Sequence, residues 1–208
     1  MIRPTAGINR PFLLLSAAVL LLAAWAAPQA APERYEIDPD HLSIGFLVDH
    51  VGYAKVLGMF RKAEGSFTFD ESTGELGDLR VVIDTASVFS NHQRRDDHLR
   101  SADFLNSAEF PKMTFTAARA MPIAGRNYRI EGELELLGRK GPVTLEATWN
   151  KSGEYPFGGG LLGRKPYVMG ISARGSFKRS AYGMTYSVDN GWVGDEVELI
   201  IELEAKRK

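Results

Sequence analysis

Residues 128–136 read Tyr-Arg-Ile-Glu-Gly-Glu-Leu-Glu-Leu, which places apolar side chains and one glycine on one face of an extended chain and charged side chains on the other. A helix would scatter these residues around its axis, whereas a strand with one buried face sorts them with a period of two. The stretch therefore predicts a β-strand whose apolar face lies in the core.

The same period of two recurs along the rest of the chain. Residues 195–204, Asp-Glu-Val-Glu-Leu-Ile-Ile-Glu-Leu-Glu, repeat it strongly, and weaker instances around Phe46, Phe67, Ile83, Phe115, Trp149 and Ile171 bring the number of predicted strands to about eight. Residues 71–74 (Glu-Ser-Thr-Gly) and 138–142 (Gly-Arg-Lys-Gly-Pro) have the composition of turns. No linker or internal repeat interrupts the pattern after Arg34, so one domain is predicted.

One polar interval breaks the strand rhythm. Residues 91–101 contain no glycine or proline, and Asn91 stands where a helix N-cap would be, which predicts a short helix between strands. About eight antiparallel strands with one polar face predict an all-β fold, an eight-stranded antiparallel β-barrel with a short helical insertion. A two-sheet sandwich fits the same alternation and stays open as an alternative.

The N-terminus has the order of a secretory signal peptide. Arg3 and Arg10 precede an apolar run over 12–25, and Ala24 and Ala26 then flank Trp25 in an A-x-A arrangement. The run is shorter than the roughly 20 residues of a membrane span. Residues 1–26 are therefore predicted to be cleaved, which leaves no stable membrane span; an uncleaved anchor is the alternative.

Composition excludes several classes of protein. The chain has no cysteine, so neither a disulfide framework nor a lipid-modified cysteine is available. Loss of Arg3 and Arg10 leaves 23 basic against 26 acidic residues, which gives no electrostatic case for a nucleic-acid partner.

The predicted interior is where a ligand would bind. Eight strands enclose a lumen just wide enough for side chains or for one small ligand. Small residues (Gly132, Ala147, Ala173, Gly175) share the inward faces with bulky ones, and they either leave room for a ligand or relieve crowding opposite the aromatics. The candidate ligand-contacting residues on these faces are Ile44, Phe46, Val48, Met113, Phe115, Tyr128, Ile130, Leu134, Leu136, Leu145, Trp149, Tyr167, Met169, Ile171, Phe177 and Leu199.

Catalytic motifs are weak. His92 and His98 are six apart, a poor spacing for shared metal coordination on one helix face, and Ser101 near His98 belongs to no G-x-S-x-G elbow. The glycines at 158–160 are not followed by the GK[ST] ending of a phosphate-binding loop. The sequence therefore predicts no enzyme, no metal site and no cofactor.

The polar interval also carries a recognisable motif. Residues 95–105 read Arg-Asp-Asp-His-Leu-Arg-Ser-Ala-Asp-Phe-Leu. Four other stretches accompany this motif: Phe110-Pro111 with Phe115, Tyr35 to Asp38 with His41, Ile44 to Phe46 with His50, and residues 193–197. Together these resemble the YceI family of polyisoprenoid-binding periplasmic proteins over residues 33–206. The resemblance implies a lipocalin-like barrel that holds a polyisoprenoid quinone, a polyprenyl phosphate or a fatty amide.

Two stretches depart from the family pattern. Residues 179–183 read Arg-Ser-Ala-Tyr-Gly, with Ala181 at a usually acidic position, and the turn at 138–142 also differs. Both lie in connections, so they put head-group preference in doubt rather than the fold.

These observations predict non-covalent binding, sequestration or transport of an amphiphilic lipid in the periplasm. Arg95 and His98 are placed at the head-group end because a polar head needs partners that an apolar lumen does not supply; alternatively, Arg95 and Asp96 only brace the helix. A hydrolase or isomerase acting through His98, and a packed barrel that serves as a partner-binding scaffold, are the alternative functions. Pairing of two barrels into a homodimer is left open.

Overall fold

The computed structural model describes Met1, residues 31–158 and residues 163–208. The predicted cleavage region around Ala26 therefore lies outside the described residues, as do the glycines at 159 and 160.

Eight antiparallel strands form a closed barrel. In ring order they are β1 (Glu33–His50), β3 (Ala63–Asp70), β4 (Glu75–Asp84), β6 (Lys112–Ala120), β8 (Asn127–Leu136), β9 (Arg139–Glu154), β10 (Tyr167–Lys178) and β11 (Val193–Arg207). Pairing of β11 with β1 closes the ring, with Phe46 opposite Leu199. The barrel prediction is confirmed, and the two-sheet sandwich is excluded because a sandwich would leave these edges unpaired.

Strand β1 joins the two ends of the barrel wall. Its first residues pair with β3, its later residues pair with β2 (Ala54–Phe60), and its other edge pairs with β11 along most of its length. Strands β2 and β3 thus form one interrupted strand beside β1. Two short strands complete the sheet, since β5 (Val88–Phe89) pairs with β2 and β7 (Pro122–Ala124) pairs with β8.

The helical insertion is confirmed in shorter form. Helix α1 spans Gln93–Arg100, and its N-cap is His92, whose Nδ1 accepts a hydrogen bond from the Arg95 backbone N–H at 3.3 Å. Asn91, the predicted cap, instead has φ +62°, a left-handed conformation that asparagine tolerates and that turns the chain into the helix. Among the described residues, no helix is both long and apolar enough to cross a membrane.

The turn between β8 and β9 lies earlier than predicted. Residues 139–142 belong to β9, and the two-residue turn is Leu137-Gly138, with φ +52° and +68°. Two positive φ angles are typical of the tight hairpin turn that matches strand twist. The turn predicted at 71–74 is confirmed between β3 and β4.

Alternation along the strands separates core from surface as predicted. On β8, Tyr128, Ile130, Leu134 and Leu136 are buried while Arg129, Glu131, Glu133 and Glu135 are exposed. Buried apolar residues from all eight strands meet in the barrel interior, where they form one cluster.

Candidate functional site

The barrel encloses an apolar cavity of about 430 Å³. A ligand pocket for a small molecule is typically about 300–1,000 Å³. Fourteen of the eighteen predicted contact residues line the cavity: Ile44, Phe46, Val48, Arg95, His98, Met113, Phe115, Ile130, Leu134, Leu136, Leu145, Ile171, Phe177 and Leu199. The lumen is therefore not packed shut, and that part of the scaffold alternative is wrong.

The other four predicted residues, Tyr128, Trp149, Tyr167 and Met169, lie outside the cavity lining. The strands run on past the cavity with the same alternation, so these side chains also point inward but pack the closed end of the barrel. The Tyr128 hydroxyl donates to the Gly74 carbonyl oxygen at 2.9 Å. Trp149 packs edge-on against another core aromatic, and Met169 is fully buried.

A carboxylate anchors this closed end. The hydroxyls of Tyr35 and Tyr167 donate to the two oxygens of Glu71, at 2.8 and 2.9 Å. Burial, and then the hydrogen bond to Glu71, raise the pKa of Tyr35, so its hydroxyl stays a donor. The Tyr35 ring also stacks on Phe67 with centroids 5.4 Å apart. The polar groups of Tyr35, Tyr167 and Glu71 at the closed end are therefore hydrogen-bonded to one another.

The small residues of the lumen have two different roles. A Cβ on Gly132 would lie 2.3 Å from Phe115 Cζ, and one on Gly175 would lie 2.8 Å from Leu145 Cδ2. These glycines relieve crowding, which answers the question that the sequence left open for them. Ala147 and Ala173, by contrast, line the cavity and so help to make it.

The cavity opens at the end where β1 finishes. Val51, Tyr186 and Trp192 line it and are also solvent-exposed, so the mouth lies between the β1–β2 turn and the loop before β11. His98 of α1 stands at this mouth, with its ring edge-on to Phe104 at 4.9 Å and to Tyr186 at 5.0 Å. Its Nε2 lies 2.9 Å from Asp103 Oδ2, which fixes the orientation of the imidazole.

Arg95 braces the segment before the helix. Its Nε donates to Ser90 Oγ at 2.7 Å and its Nη2 donates to the Ser90 carbonyl oxygen at 2.5 Å. The buried Asp96 carboxylate accepts from the same serine, from the backbone N–H at 2.7 Å and from Oγ at 2.5 Å. The bracing role is therefore present in the structure. Because Arg95 also lines the cavity, its contact with a head group stays a prediction.

Arg179 is a cavity-lining cation that the sequence reasoning missed. It is only 2% exposed and donates to the carbonyl oxygens of Gly194, Met184, Tyr186 and Val193 at 2.7–3.0 Å. Its guanidinium carbon lies 5.7 Å from the Phe104 ring centroid. Burial lowers its pKa, against the opposing effect of the Asp195 charge. The signal was its place at the head of the 179–183 stretch, because the family motif that the stretch resembles also begins with arginine.

Further apolar lining comes from residues that were not among the predicted contacts, some on strands and others in α1 and the connections. These residues are Ile37, Leu42, Val56, Phe60, Phe67, Leu76, Leu79, Val81, Ile83, Val88, Leu99, Phe104, Leu105, Val143, Met184, Val193, Val197, Ile201 and Leu203. The inward positions change from odd to even numbers between Ile37 and Leu42, where the β1–β11 register shifts. A strict period of two therefore does not identify them all.

Within the part of the chain that the structure describes, one group of side chains outside the cavity has metal-ligand chemistry. Asp38, His41 and Glu204 each offer an atom within 4.8 Å of the others. However, Lys206 Nζ already lies 2.8 Å from Asp38 Oδ2, and His41 Nδ1 lies 2.8 Å from that same oxygen. The buried carboxylate thus already has an ammonium group and an imidazole as partners within the protein.

A family described as the YceI-like domain matches residues 35–205. A UPF0312 protein of Yersinia enterocolitica is 38% identical over 201 residues, covering 96% of this chain and 98% of its own, and one of Pectobacterium carotovorum is 37% identical over 196 residues, covering 94% and 97%.

Three solved structures share the fold. Burkholderia cenocepacia BcnA aligns with TM-score 0.69 at 20% identity, over 81% of this chain and 98% of its own. The Campylobacter jejuni YceI protein gives 0.65 at 28%, over 77% and 90%. A polyisoprenoid binding domain from Saccharophagus degradans gives 0.57 at 14%, over 84% and 98%.

Proposed function

Because this chain belongs to the YceI-like domain family, we propose that it binds a long-chain isoprenoid or another amphiphilic lipid non-covalently in its barrel. The observation that carries the proposal is the open apolar cavity of about 430 Å³. A related fold is described as polyisoprenoid-binding in Saccharophagus degradans, which supports the choice of ligand class.

The energetics suit a hydrocarbon tail. Each buried methylene contributes roughly 0.8 kcal/mol, so a tail of about a dozen carbons gains roughly 10 kcal/mol before the costs of ordering. The lumen supplies aliphatic and aromatic contacts over most of its lining, and the hydroxyls at its closed end are already bonded to Glu71. The tail therefore enters the lumen, and the head group stays at the mouth.

The mouth favours an electron-rich head group. Arg179, Arg95 and His98 line it. In the described residues, every hydrogen-bond acceptor of the Arg179 guanidinium is a neutral backbone carbonyl, so its positive charge is not neutralised by a hydrogen-bonded carboxylate. A carbonyl or phosphate oxygen is attracted by such cations, whereas a cationic head group is repelled. A quinone, a polyprenyl phosphate and a fatty amide all satisfy this requirement.

We place the protein in the periplasm, as a carrier or store of lipid. Support comes from the positive start, the short apolar run and the A-x-A site of residues 1–26. N-terminal sequencing of protein from a periplasmic extract is expected to find a first residue between Ala27 and Pro32. Recovery of intact residues 1–26 on membrane-bound protein would contradict this placement.

The proposal includes no catalytic step. The alternative is a hydrolase or isomerase in which His98, oriented by Asp103, acts as a base. Ser101 Oγ, however, donates to the His98 backbone carbonyl oxygen at 2.8 Å, so this hydroxyl is not presented to the imidazole as a nucleophile would be.

Native mass spectrometry of protein purified from its own host tests the proposal. The expected result is a co-purifying lipid that organic extraction releases unchanged. A chemically altered lipid would favour the enzyme. A barrel that carries no lipid, and takes none up when incubated with an isoprenoid quinone in mild detergent, would refute the binding function.

A further inference from the structure

Exposed apolar side chains surround the mouth of the cavity. Val51, Tyr186 and Trp192 are 44%, 43% and 59% exposed although all three line the cavity. Tyr53, two residues beyond Val51, is 92% exposed. These four residues are called the rim. At these residues the apolar lining of the lumen thus extends onto the outside of the protein.

The fold holds the rim together as one surface. Val51 and Gly52 have φ +54° and +72°, which makes the β1–β2 connection a tight turn that projects Tyr53. The Val51 backbone N–H donates to the Trp192 carbonyl oxygen at 2.8 Å, which ties this turn to the loop before β11. Leu57, 59% exposed on the outer face of β2, extends the surface down the wall.

We propose that the rim docks on the surface of a lipid bilayer, so that a lipid passes between membrane and barrel without crossing water. The inference rests on the proposed function. Exposure of an apolar tail to water during transfer is unfavourable, and an apolar rim pressed against the bilayer avoids that exposure. Tryptophan and tyrosine are the side chains enriched at membrane–water interfaces, because one end of each is apolar and the other polar.

The charges near the rim specify the kind of membrane surface. Asp49 lies near the end of β1 and Asp189 lies in the loop before β11. Lys55 on β2 is paired with Glu198. The four rim residues carry no charge, and the two arginines at the mouth, Arg95 and Arg179, already donate hydrogen bonds to groups of the protein. Docking is therefore driven by apolar contact, and neutral phospholipids suffice without anionic ones.

The chain carries its own reporters for a test. A protein that starts at residue 27 keeps the complete ring from β1 to β11 and lacks the apolar run over 12–25, and its tryptophans are Trp149 and Trp192. Trp149→Phe leaves Trp192 at the rim, and Trp192→Phe leaves Trp149 at the closed end. With phosphatidylcholine vesicles brominated on the acyl chains, fluorescence of Trp192 is expected to be quenched and fluorescence of Trp149 is not.

A second measurement separates docking from lipid binding. Tyr53 and Leu57 do not line the cavity, so Tyr53→Ser with Leu57→Ser is expected to leave uptake of geranylgeraniol from octyl glucoside unchanged. Partitioning onto phosphatidylcholine vesicles is expected to weaken at least about tenfold, or about 1.4 kcal/mol. Phe157→Ser, which removes an exposed aromatic at the closed end, is the matched control and is expected to change neither.

Several results would overturn the docking. These are quenching of Trp149 rather than Trp192, equal weakening by Phe157→Ser, and vesicle binding that requires anionic lipid. Self-association that removes Tyr53 from solvent, with no quenching by vesicles, would assign the rim to a second copy of the chain. Absence of geranylgeraniol uptake from detergent refutes the proposed function instead, so the two failures are distinguishable.

Discussion

Replacement of Gly132 by alanine tests how closely the lumen is packed. A Cβ at this position would lie 2.3 Å from Phe115 Cζ and 2.6 Å from the Thr116 carbonyl oxygen. The phenyl ring can move, but the carbonyl belongs to the β6 backbone and resists displacement. The ring moves toward the cavity that it lines, so the added methyl group both strains the wall and narrows the site.

The magnitude follows from a matched glycine. Overpacking of a core typically costs about 1–3 kcal/mol. Alanine also gains about 0.4–1 kcal/mol relative to glycine by restricting the unfolded chain. Gly170, also within a strand, has no atom closer than 4.0 Å to its would-be Cβ. Gly170→Ala is therefore expected to gain stability from the restricted unfolded chain without a steric clash. The difference in free energy of unfolding between the two variants then measures the strain at Gly132→Ala, about 1–3 kcal/mol.

Thermal unfolding by circular dichroism measures that difference. For a chain of this length about 2–4 °C of melting temperature corresponds to 1 kcal/mol, so Gly132→Ala is expected to melt about 2–12 °C below Gly170→Ala. Its affinity for an isoprenoid quinone is expected to fall as well. Equal melting temperatures for the two variants would refute the packing argument, and unchanged affinity would refute the narrowing of the site.

Three further outcomes are expected. Ile130→Glu should abolish lipid binding in a fluorescence titration, because it buries a charge among apolar groups, while Glu131→Lys on the outer face should leave binding intact; equal damage would mean that the register is wrong. His98→Ala should weaken binding with little change in melting temperature, since this ring is exposed at the mouth; a lower melting temperature at unchanged affinity would make it structural. The hydrogen bond to Asp38 raises the pKa of His41, so protonated His41 should stabilise the fold. In urea unfolding, His41→Gln should therefore lower the free energy of unfolding fully below about pH 6.5, and its effect should vanish as the pH rises through the raised pKa. An effect of the variant that does not depend on pH would contradict this assignment.

The sequence predicts the regular parts of the barrel well. Uninterrupted strands such as β8 keep one parity of inward residues from end to end, so alternation alone assigns Ile130 and Leu134 to the lumen. The motif at 95–105 likewise placed Arg95 and His98 beside the cavity. Lipid contact by these residues stays a prediction.

Prediction failed where the inward residues change between odd and even numbers, and where φ becomes positive at a residue other than glycine. Phe60 and Phe67 both line the cavity, yet one is even-numbered and the other odd, because the wall strand is interrupted between β2 and β3. Leu137 adopts a positive φ that apolar residues seldom accept, so the turn was predicted too late. Arg179 was missed because a buried cation bonded to backbone carbonyls leaves no period or partner in the sequence.

Closure of the ring by the first and last strands governs how the protein folds. Phe46 and Leu199 face each other across that seam although most of the domain separates them in sequence. Such a high contact order makes folding slow, since the entropy of closing a long loop is lost before the seam contributes stability. A nascent chain that ends before residue 193 therefore exposes two unpaired strand edges, on β1 and β10, together with the apolar lumen between them. Pairing of the fifteen residues of β11 with both of these edges closes the barrel.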